Sequence, residues 1–193
     1  MSNKFIYMIL VVMLVFMVVE FLFVMIGRRA PFEIVYYRSN LEYDYDGNAT
    51  FTTVVGLYFK DERKREEYKN AYLEASKEGL GKYFQDISKQ VGREIVPYDY
   101  TVKMEEKSGV LEVTEKTFLK GAAEVKDGVV DTGMGNLTIG MSGETEIVVK
   151  IPEDAVLISA VPTPTVLEGN VLVWRPKESI PFPKVTFRKG SGR

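Results

Sequence analysis

The segment of residues 5–26 limits most strongly what this chain can fold into. Its twenty-two residues are an almost uninterrupted run of Ile, Leu, Val, Met and Phe with one acidic residue, Glu20. At about 1.5 Å rise per residue, a helix of this length crosses a hydrocarbon core of about 30 Å. The sequence therefore predicts a single transmembrane helix, which leaves residues 30–193 to form a body outside the bilayer.

Two other interpretations of this segment fit the sequence less well. A cleavable signal peptide has an apolar region of about 7–15 residues, followed by small residues at the cleavage site. This run is longer, and Arg28 and Arg29 stand where the small residues would be. A buried core helix would need a much more apolar chain around it. We predict that residues 1–29 form a retained signal-anchor.

The sequence indicates only weakly on which side of the membrane the body lies. Arg28 and Arg29 outnumber Lys4 across the segment, which favours a cytoplasmic body, although long domains translocate largely regardless of charge. Two Asn-x-Thr sequons, beginning at Asn48 and Asn136, and a strand-rich body favour the other side. We predict a single-pass protein of the cell membrane with an extracytoplasmic body.

Glu20 lies inside the predicted span. An ionised carboxylate at the bilayer centre costs about 2.5–3.5 kcal/mol on insertion scales. The residue either contacts another membrane protein or a second copy of this chain, or is simply tolerated by a very apolar helix. The lipid bilayer is the predicted partner in both cases.

The residue types that are absent exclude several classes of function. The chain has no cysteine and no histidine, which removes disulfides, thiolate nucleophiles, Cys-ligated zinc and the Ser-His-Asp triad. With 27 acidic and 25 basic residues, it gives no electrostatic case for nucleic acid. Abundant Lys and Glu without Cys is typical of proteins that work at high temperature. We predict no cofactor and identify no catalytic residue.

The first part of the body predicts an α+β arrangement, with an antiparallel sheet covered by one helix. Two strand-like runs, 32–45 and 49–60, flank the turn Asp46-Gly47-Asn48 and read as a hairpin. Asp61 is a predicted N-cap. The helix after it has an apolar stripe, and Gly79 and Gly81 are expected to kink or split it. The stripe consists of Tyr68, Tyr72, Ala75, Tyr83, Ile87 and Val91. Residues 94–106 and 109–119 predict a second hairpin.

From residue 122 onwards the chain predicts only short strands separated by Gly, Pro and Asn. This pattern is typical of a sandwich, or of additional strands that extend the first sheet. We therefore divide the body into a ββαββ part, 30–121, a β-rich, sandwich-like part, 122–188, and a flexible tail, 189–193.

Asp44, Asp46 and Asn48 form the one weak candidate for a metal site. Their alternating oxygens suit a calcium ion, which prefers clustered oxygen ligands. The spacing departs from an EF-hand loop, because Gly47 is fourth and Val55 stands at the twelfth position. A plain hairpin turn is the favoured interpretation.

Other motifs that suggest chemistry fail on spacing. Gly133-Met134-Gly135 lacks the third glycine of a dinucleotide loop, and Gly81-Lys82 lacks the first glycine of a phosphate loop. The adjacent pairs Glu66-Glu67 and Glu105-Glu106 point apart on a helix or strand, and are read as solvated charged faces.

The C-terminal stretch carries a resemblance to a known family. The stretch comprises the runs Ile151–Val156, Val161–Pro164, Glu168–Trp174 and Ile180–Val185. Together with the N-terminal anchor, it resembles a family of uncharacterised single-span membrane proteins of hyperthermophilic archaea and bacteria. The resemblance implies no activity.

Two classes of function follow from the sequence. The first is a non-catalytic anchored module, acting as an extracytoplasmic binding domain or as an accessory subunit. The alternative is a carboxylate-based enzyme of the cell surface, such as a glycan hydrolase, which would need two acids about 5–10 Å apart in a cleft.

Overall fold

A computed structural model describes residues 31–140 and 143–190 of the chain, without the side chains of residues 73–80 and 83. The predicted anchor at 5–26, Glu20 included, lies outside the described residues. Within the described ranges, no helix has the length and hydropathy needed to span a bilayer.

The body is an α+β fold that consists mostly of β-strands. The one helix among the described residues, α1 (Glu62–Val91), lies between the second and third strands. The strands are β1 (Phe32–Tyr43), β2 (Ala49–Phe59), β3 (Val96–Lys107), β4 (Val110–Lys120), β5 (Glu124–Lys126), β6 (Val129–Asp131), β7 (Thr138–Ile139), β8 (Glu144–Lys150), β9 (Ala155–Val161), β10 (Val166–Glu168), β11 (Val171–Trp174), β12 (Ile180–Pro181) and β13 (Lys184–Lys189).

The strands form three sheets. The largest has seven strands in the order β10-β11-β8-β1-β2-β4-β3, the second has four in the order β5-β6-β13-β9, and β12 pairs with β7. Both predicted hairpins are present, since β1 pairs with β2 and β3 with β4. The four strands of the ββαββ part pair antiparallel, as predicted, and β8 then adds to β1 in parallel, which makes the whole sheet mixed.

Strands from both sides of residue 121 build the large sheet, because β8, β10 and β11 extend it beyond β1. The sequence predicted either a sandwich or additional strands that extend the first sheet, and these three strands extend the first sheet. Of the remaining C-terminal strands, β5, β6, β9 and β13 form the four-stranded sheet, and β7 and β12 form the two-stranded one. The two sheets share one core, in which Trp174 of the large sheet and Phe187 of the small one are both buried.

The helix covers one face of the large sheet. Asp61 is the N-cap, as predicted, and its carboxylate accepts a hydrogen bond of 2.9 Å from the Arg63 amide. The helix is continuous to Val91 and is not split at Gly79 and Gly81. Tyr68, Tyr72 and Ile87 of the predicted stripe are buried against the sheet. Phe84, which the prediction missed, is buried with them.

Candidate functional site

The face of the large sheet turned away from the helix is polar and open to solvent. At its centre, the Tyr36 hydroxyl of β1 donates a hydrogen bond of 2.8 Å to Glu112 Oε2 of β4. The phenol reaches Glu112 by crossing β2 at Gly56. The ammonium of Lys107 also binds Glu112, and this hydrogen bond, followed by that from Tyr36, lowers the pKa of the Glu112 carboxyl.

A cleft of about 420 Å³ opens beside this network, at the start of β8. Its lining carries three cations and two carboxylates. The residues are Arg38, Gly143, Glu144, Thr145, Glu146, Arg175, Pro176 and Lys177. Arg175 Nε lies 2.7 Å from Glu146 Oε2, and the Arg38 guanidinium lies 5.2 Å from the centre of the Tyr36 ring.

The cleft is where the structure brings two carboxylates together in an open site. Glu144 and Glu146 alternate on β8, so they share a face with their backbone positions about 7 Å apart. A glycoside hydrolase needs its two carboxyl groups about 5–10 Å apart, so a pair on one face of a strand is the arrangement to consider for that chemistry. This pair was not predicted, and its sequence signal is a Glu-x-Glu spacing at the start of a strand-like run.

The carboxyl group of Glu115, on β4, is buried under helix α1. The hydroxyls of Tyr72 and Tyr100 both donate hydrogen bonds to its Oε1. Its Oε2 has no hydrogen-bond partner among the described atoms, and burial raises the pKa of the carboxyl. The side chain is 4% exposed, so a dissolved substrate does not reach it. In β4, Glu115 lies on the same face as the buried Leu111 and Val113.

Exposed aliphatic side chains are concentrated on two edge strands, β9 of the four-stranded sheet and β10 of the large sheet. Five of the ten large hydrophobic side chains exposed in the described part of the chain belong to residues 156–167. This edge patch comprises Val156, Ile158, Val161, Val166 and Leu167. Their exposed fractions range from 38% to 60%.

The residues of the predicted calcium site hold a turn together. Asp44 Oδ1 accepts hydrogen bonds from the amides of Asp46, at 2.9 Å, and Asn48, at 2.8 Å. Asp44 Oδ2 accepts one of 3.0 Å from the Asn48 side chain. Over the ranges that the structure describes, no three acidic side chains converge as metal ligands would. A metal at Asp44, Asp46 and Asn48 stays a prediction.

The adjacent glutamate pairs lie among cations. Arg65 and Lys69 of the helix contact both Glu66 and Glu106, which joins the helix to β3. Glu105 binds Lys103 and Lys107, which lowers the pKa of its carboxyl. These groups form an exposed ion-pair network.

The comparisons with known proteins place the chain in a family. The family described as "Domain of unknown function (DUF4897)" matches residues 32–188. The chain belongs to the DUF4897 family. No curated protein sequence matches it. The NMR structure of the folded domain of Mycobacterium tuberculosis LppM superposes with a TM-score of 0.49 at 9% identity, over 86% of this chain and 95% of that one.

The DUF4897 match contains each site described in this section. The cleft, Glu115 and the edge patch all fall within residues 32–188, whereas the predicted anchor precedes the domain. These sites are therefore features of the domain itself.

Proposed function

We propose that this DUF4897 protein is a non-catalytic, membrane-anchored binding or accessory module with an extracytoplasmic body. The edge patch is the observation that carries the proposal. Single exposed aliphatic side chains are common on soluble proteins and need no explanation. Five of them within twelve residues, three on β9 and two on β10, are a concentration that favours a binding function for these edges.

The position of the edge patch favours a protein partner over the bilayer. The predicted anchor joins the body just before Phe32, at the first end of β1. The strand then runs twelve residues, about 40 Å, to Tyr43. Just beyond it, the Tyr45 hydroxyl donates a hydrogen bond of 2.7 Å to Asp154, the residue before β9. The strand that carries most of the patch thus begins at the end of β1 remote from the anchor.

In-cell photo-crosslinking tests the binding function. A photoreactive amino acid is introduced at Ile158, and in a matched variant at Tyr98, an edge residue of the large sheet with nearly the same exposure, 49% against 51%. We expect a discrete adduct from position 158, lost when Val156→Lys is added, and none from position 98. Absence of an adduct at 158, or equal adducts at both positions, would contradict the proposal.

The membrane orientation is tested separately. A protease added to intact cells should cleave the body, and the same protease added to inverted vesicles should leave it intact. The reverse pattern would show a cytoplasmic body, and would contradict the extracytoplasmic assignment without touching the binding function.

The cleft supports the second candidate, a carboxylate-based hydrolase of cell-surface glycans. Glu144 and Glu146 supply two acids on the same face of one strand in an open site, and such a hydrolase needs a pair of acids. This alternative predicts glycan hydrolysis by the purified full chain that falls at least about 100-fold in Glu144→Gln and in Glu146→Gln, the loss typical for an acid or base. Val156→Lys, which is remote from the cleft, should leave that activity unchanged. A binding module would show no hydrolysis to lose.

A further inference from the structure

Strand β9 differs from the other outer strands of the two larger sheets. Exposed edges invite pairing with another chain, and proteins protect them by short length, charge, proline or bulges. Among the described strands, β5 and β10 have three residues each. Strand β3 carries Pro97 and several charged residues. Strand β9 has seven residues, Ala-Val-Leu-Ile-Ser-Ala-Val, without a charge.

The single irregularity of β9 selects a register for self-pairing. Its pairing with β13 shifts between Leu157 and Ser159, so one residue is inserted there. As a result, Ala155, Leu157 and Ala160 pack towards the core, while Val156, Ile158 and Val161 are exposed. The β9 of a second copy can pair antiparallel with this edge. The core-facing residues of the two strands then lie opposite each other when the two-fold axis passes between residues 158 and 159. This register sets Val156 opposite Val161 and Leu157 opposite Ala160 of the other copy.

We propose that the partner of the edge patch is a second copy of this chain, added to β9 as an antiparallel strand about a two-fold axis. This inference rests on the proposed binding function and names its partner. The pairing joins the two four-stranded sheets into one continuous sheet, and it brings the most exposed aliphatic residues of each β9 against those of the other. Such an interface is isologous and closes on itself.

The charges around β9 permit this pairing. The strand itself is neutral, so an aliphatic strand suits it and a charged one does not. In the proposed register Asp154 faces Thr163 of the other copy. Lys184 and Arg188, which flank Val161 and Val156 on β13, are separated across the axis by three strand spacings, about 14 Å. That exceeds the Debye length of about 10 Å at 0.1 M salt.

The absence of cysteine makes the register directly testable. Val156→Cys and Val161→Cys are each made in the full chain, purified in mild detergent, and oxidised alone or as an equal mixture. In the proposed register, 156 meets 161 of the other copy, whereas 156 lies about 17 Å from 156 and cannot form a disulfide. We expect at least about tenfold more disulfide-linked dimer in the mixture than in either variant alone.

Controls separate this interface from other contacts. A dimer held only through the predicted anchor would give no preference for the 156–161 pair, which would overturn the inference. Ile158→Lys should abolish the preference, and fluorescence of Trp174, the single buried tryptophan, reports whether that variant is folded. An adduct of position 158 with a different protein, without the disulfide preference, would also overturn the second copy while supporting the binding function. Absence of both would overturn both.

Discussion

The ring of Tyr36 lies across the backbone of Gly56, where it fills the space that a side chain at position 56 would take. A Cβ built on Gly56 would stand 2.5 Å from Tyr36 Cζ, well inside contact distance. The glycine thus lets a residue of β1 reach over β2 to Glu112 of β4. Three strands are tied together on the open face of the sheet by this arrangement.

Gly56→Ala should therefore destabilise the protein by about 1–3 kcal/mol, because the added methyl group forces the Tyr36 ring aside. Thermal unfolding of the full chain, followed by Trp174 fluorescence, measures the change. Tyr36→Ala should make Gly56→Ala nearly harmless, since the clash is gone. Additive losses in the double variant would contradict the explanation.

Glu115 should give the free energy of unfolding a characteristic pH dependence. Burial raises the folded pKa of its carboxyl above the unfolded value of about 4.3. Its contribution to stability is complete below about pH 4 and is lost as the pH rises towards the folded pKa. Glu115→Gln keeps an oxygen for Tyr72 and Tyr100 and has no such loss. Its stability relative to the wild type should therefore grow with pH above about 4, by about 1.4 kcal/mol for each unit of pKa difference.

Glu112 provides a control of opposite sign on the same strand. Lys107 and Tyr36 lower the folded pKa of its carboxyl. Its contribution to stability is present above the unfolded pKa and is lost as the pH falls. Glu112→Gln should therefore lose stability relative to the wild type as the pH rises through 4. Denaturant titrations at several pH values measure both variants. If their free energies of unfolding relative to the wild type change with pH in the same direction, burial does not explain the pH dependence assigned to Glu115.

Substitution of Arg93, which lies just after the helix, should lower the stability of the protein strongly, although the side chain is only half-buried. Its guanidinium donates hydrogen bonds to the carbonyls of Gly121 at 3.2 Å, Ala122 at 2.6 Å and Gly133 at 2.9 Å. Lysine cannot reach three carbonyls with a planar fork, so Arg93→Lys should cost about 2–4 kcal/mol. Arg63→Lys, at an exposed ion pair, should change thermal stability by less than about 0.5 kcal/mol. Equal losses would contradict the assigned role.

Calcium binding at the turn of the first hairpin is decided by two variants. Asp44→Ala removes three hydrogen bonds that hold the turn and should cost about 1–2 kcal/mol with or without calcium. Asp46→Asn leaves those bonds in place and should be neutral. If calcium raises the melting temperature of the wild type but not of Asp46→Asn, the turn is a metal site after all.

Local patterns in the sequence predict much of this fold. The turn at Asp46-Gly47-Asn48, the cap at Asp61 and the strand alternation that buries Glu115 each depend on residues close together in the chain. The pairing of β1 with β8 does not, because Tyr36 meets Glu144, far away in sequence. The sequence of neither strand indicates that the other is its partner. The cleft was missed for the same reason, since Arg38, Glu146 and Arg175 converge only after that pairing.

The edge patch shows a different limit. The run Ala155–Val161 predicts a strand from composition alone, but a buried strand and an edge strand have similar apolar sequences. Whether β9 is an edge depends on how many strands follow it into the same sheet. That is a property of the whole topology, and it decides whether these aliphatic side chains form core or surface.

The parallel pairing of β1 with β8 also bears on how the protein folds. During synthesis, β1, β2, β3 and β4 are complete long before β8 exists, so one edge of β1 must wait with its backbone groups unpaired. Contacts so distant in sequence form slowly, because a long loop must close first. A chain whose β1 directly follows a membrane anchor would hold that open edge close to the bilayer, and to other growing chains, until residue 150 arrives. We therefore expect the yield of correctly folded protein to depend on how well this edge is shielded until β8 pairs with it.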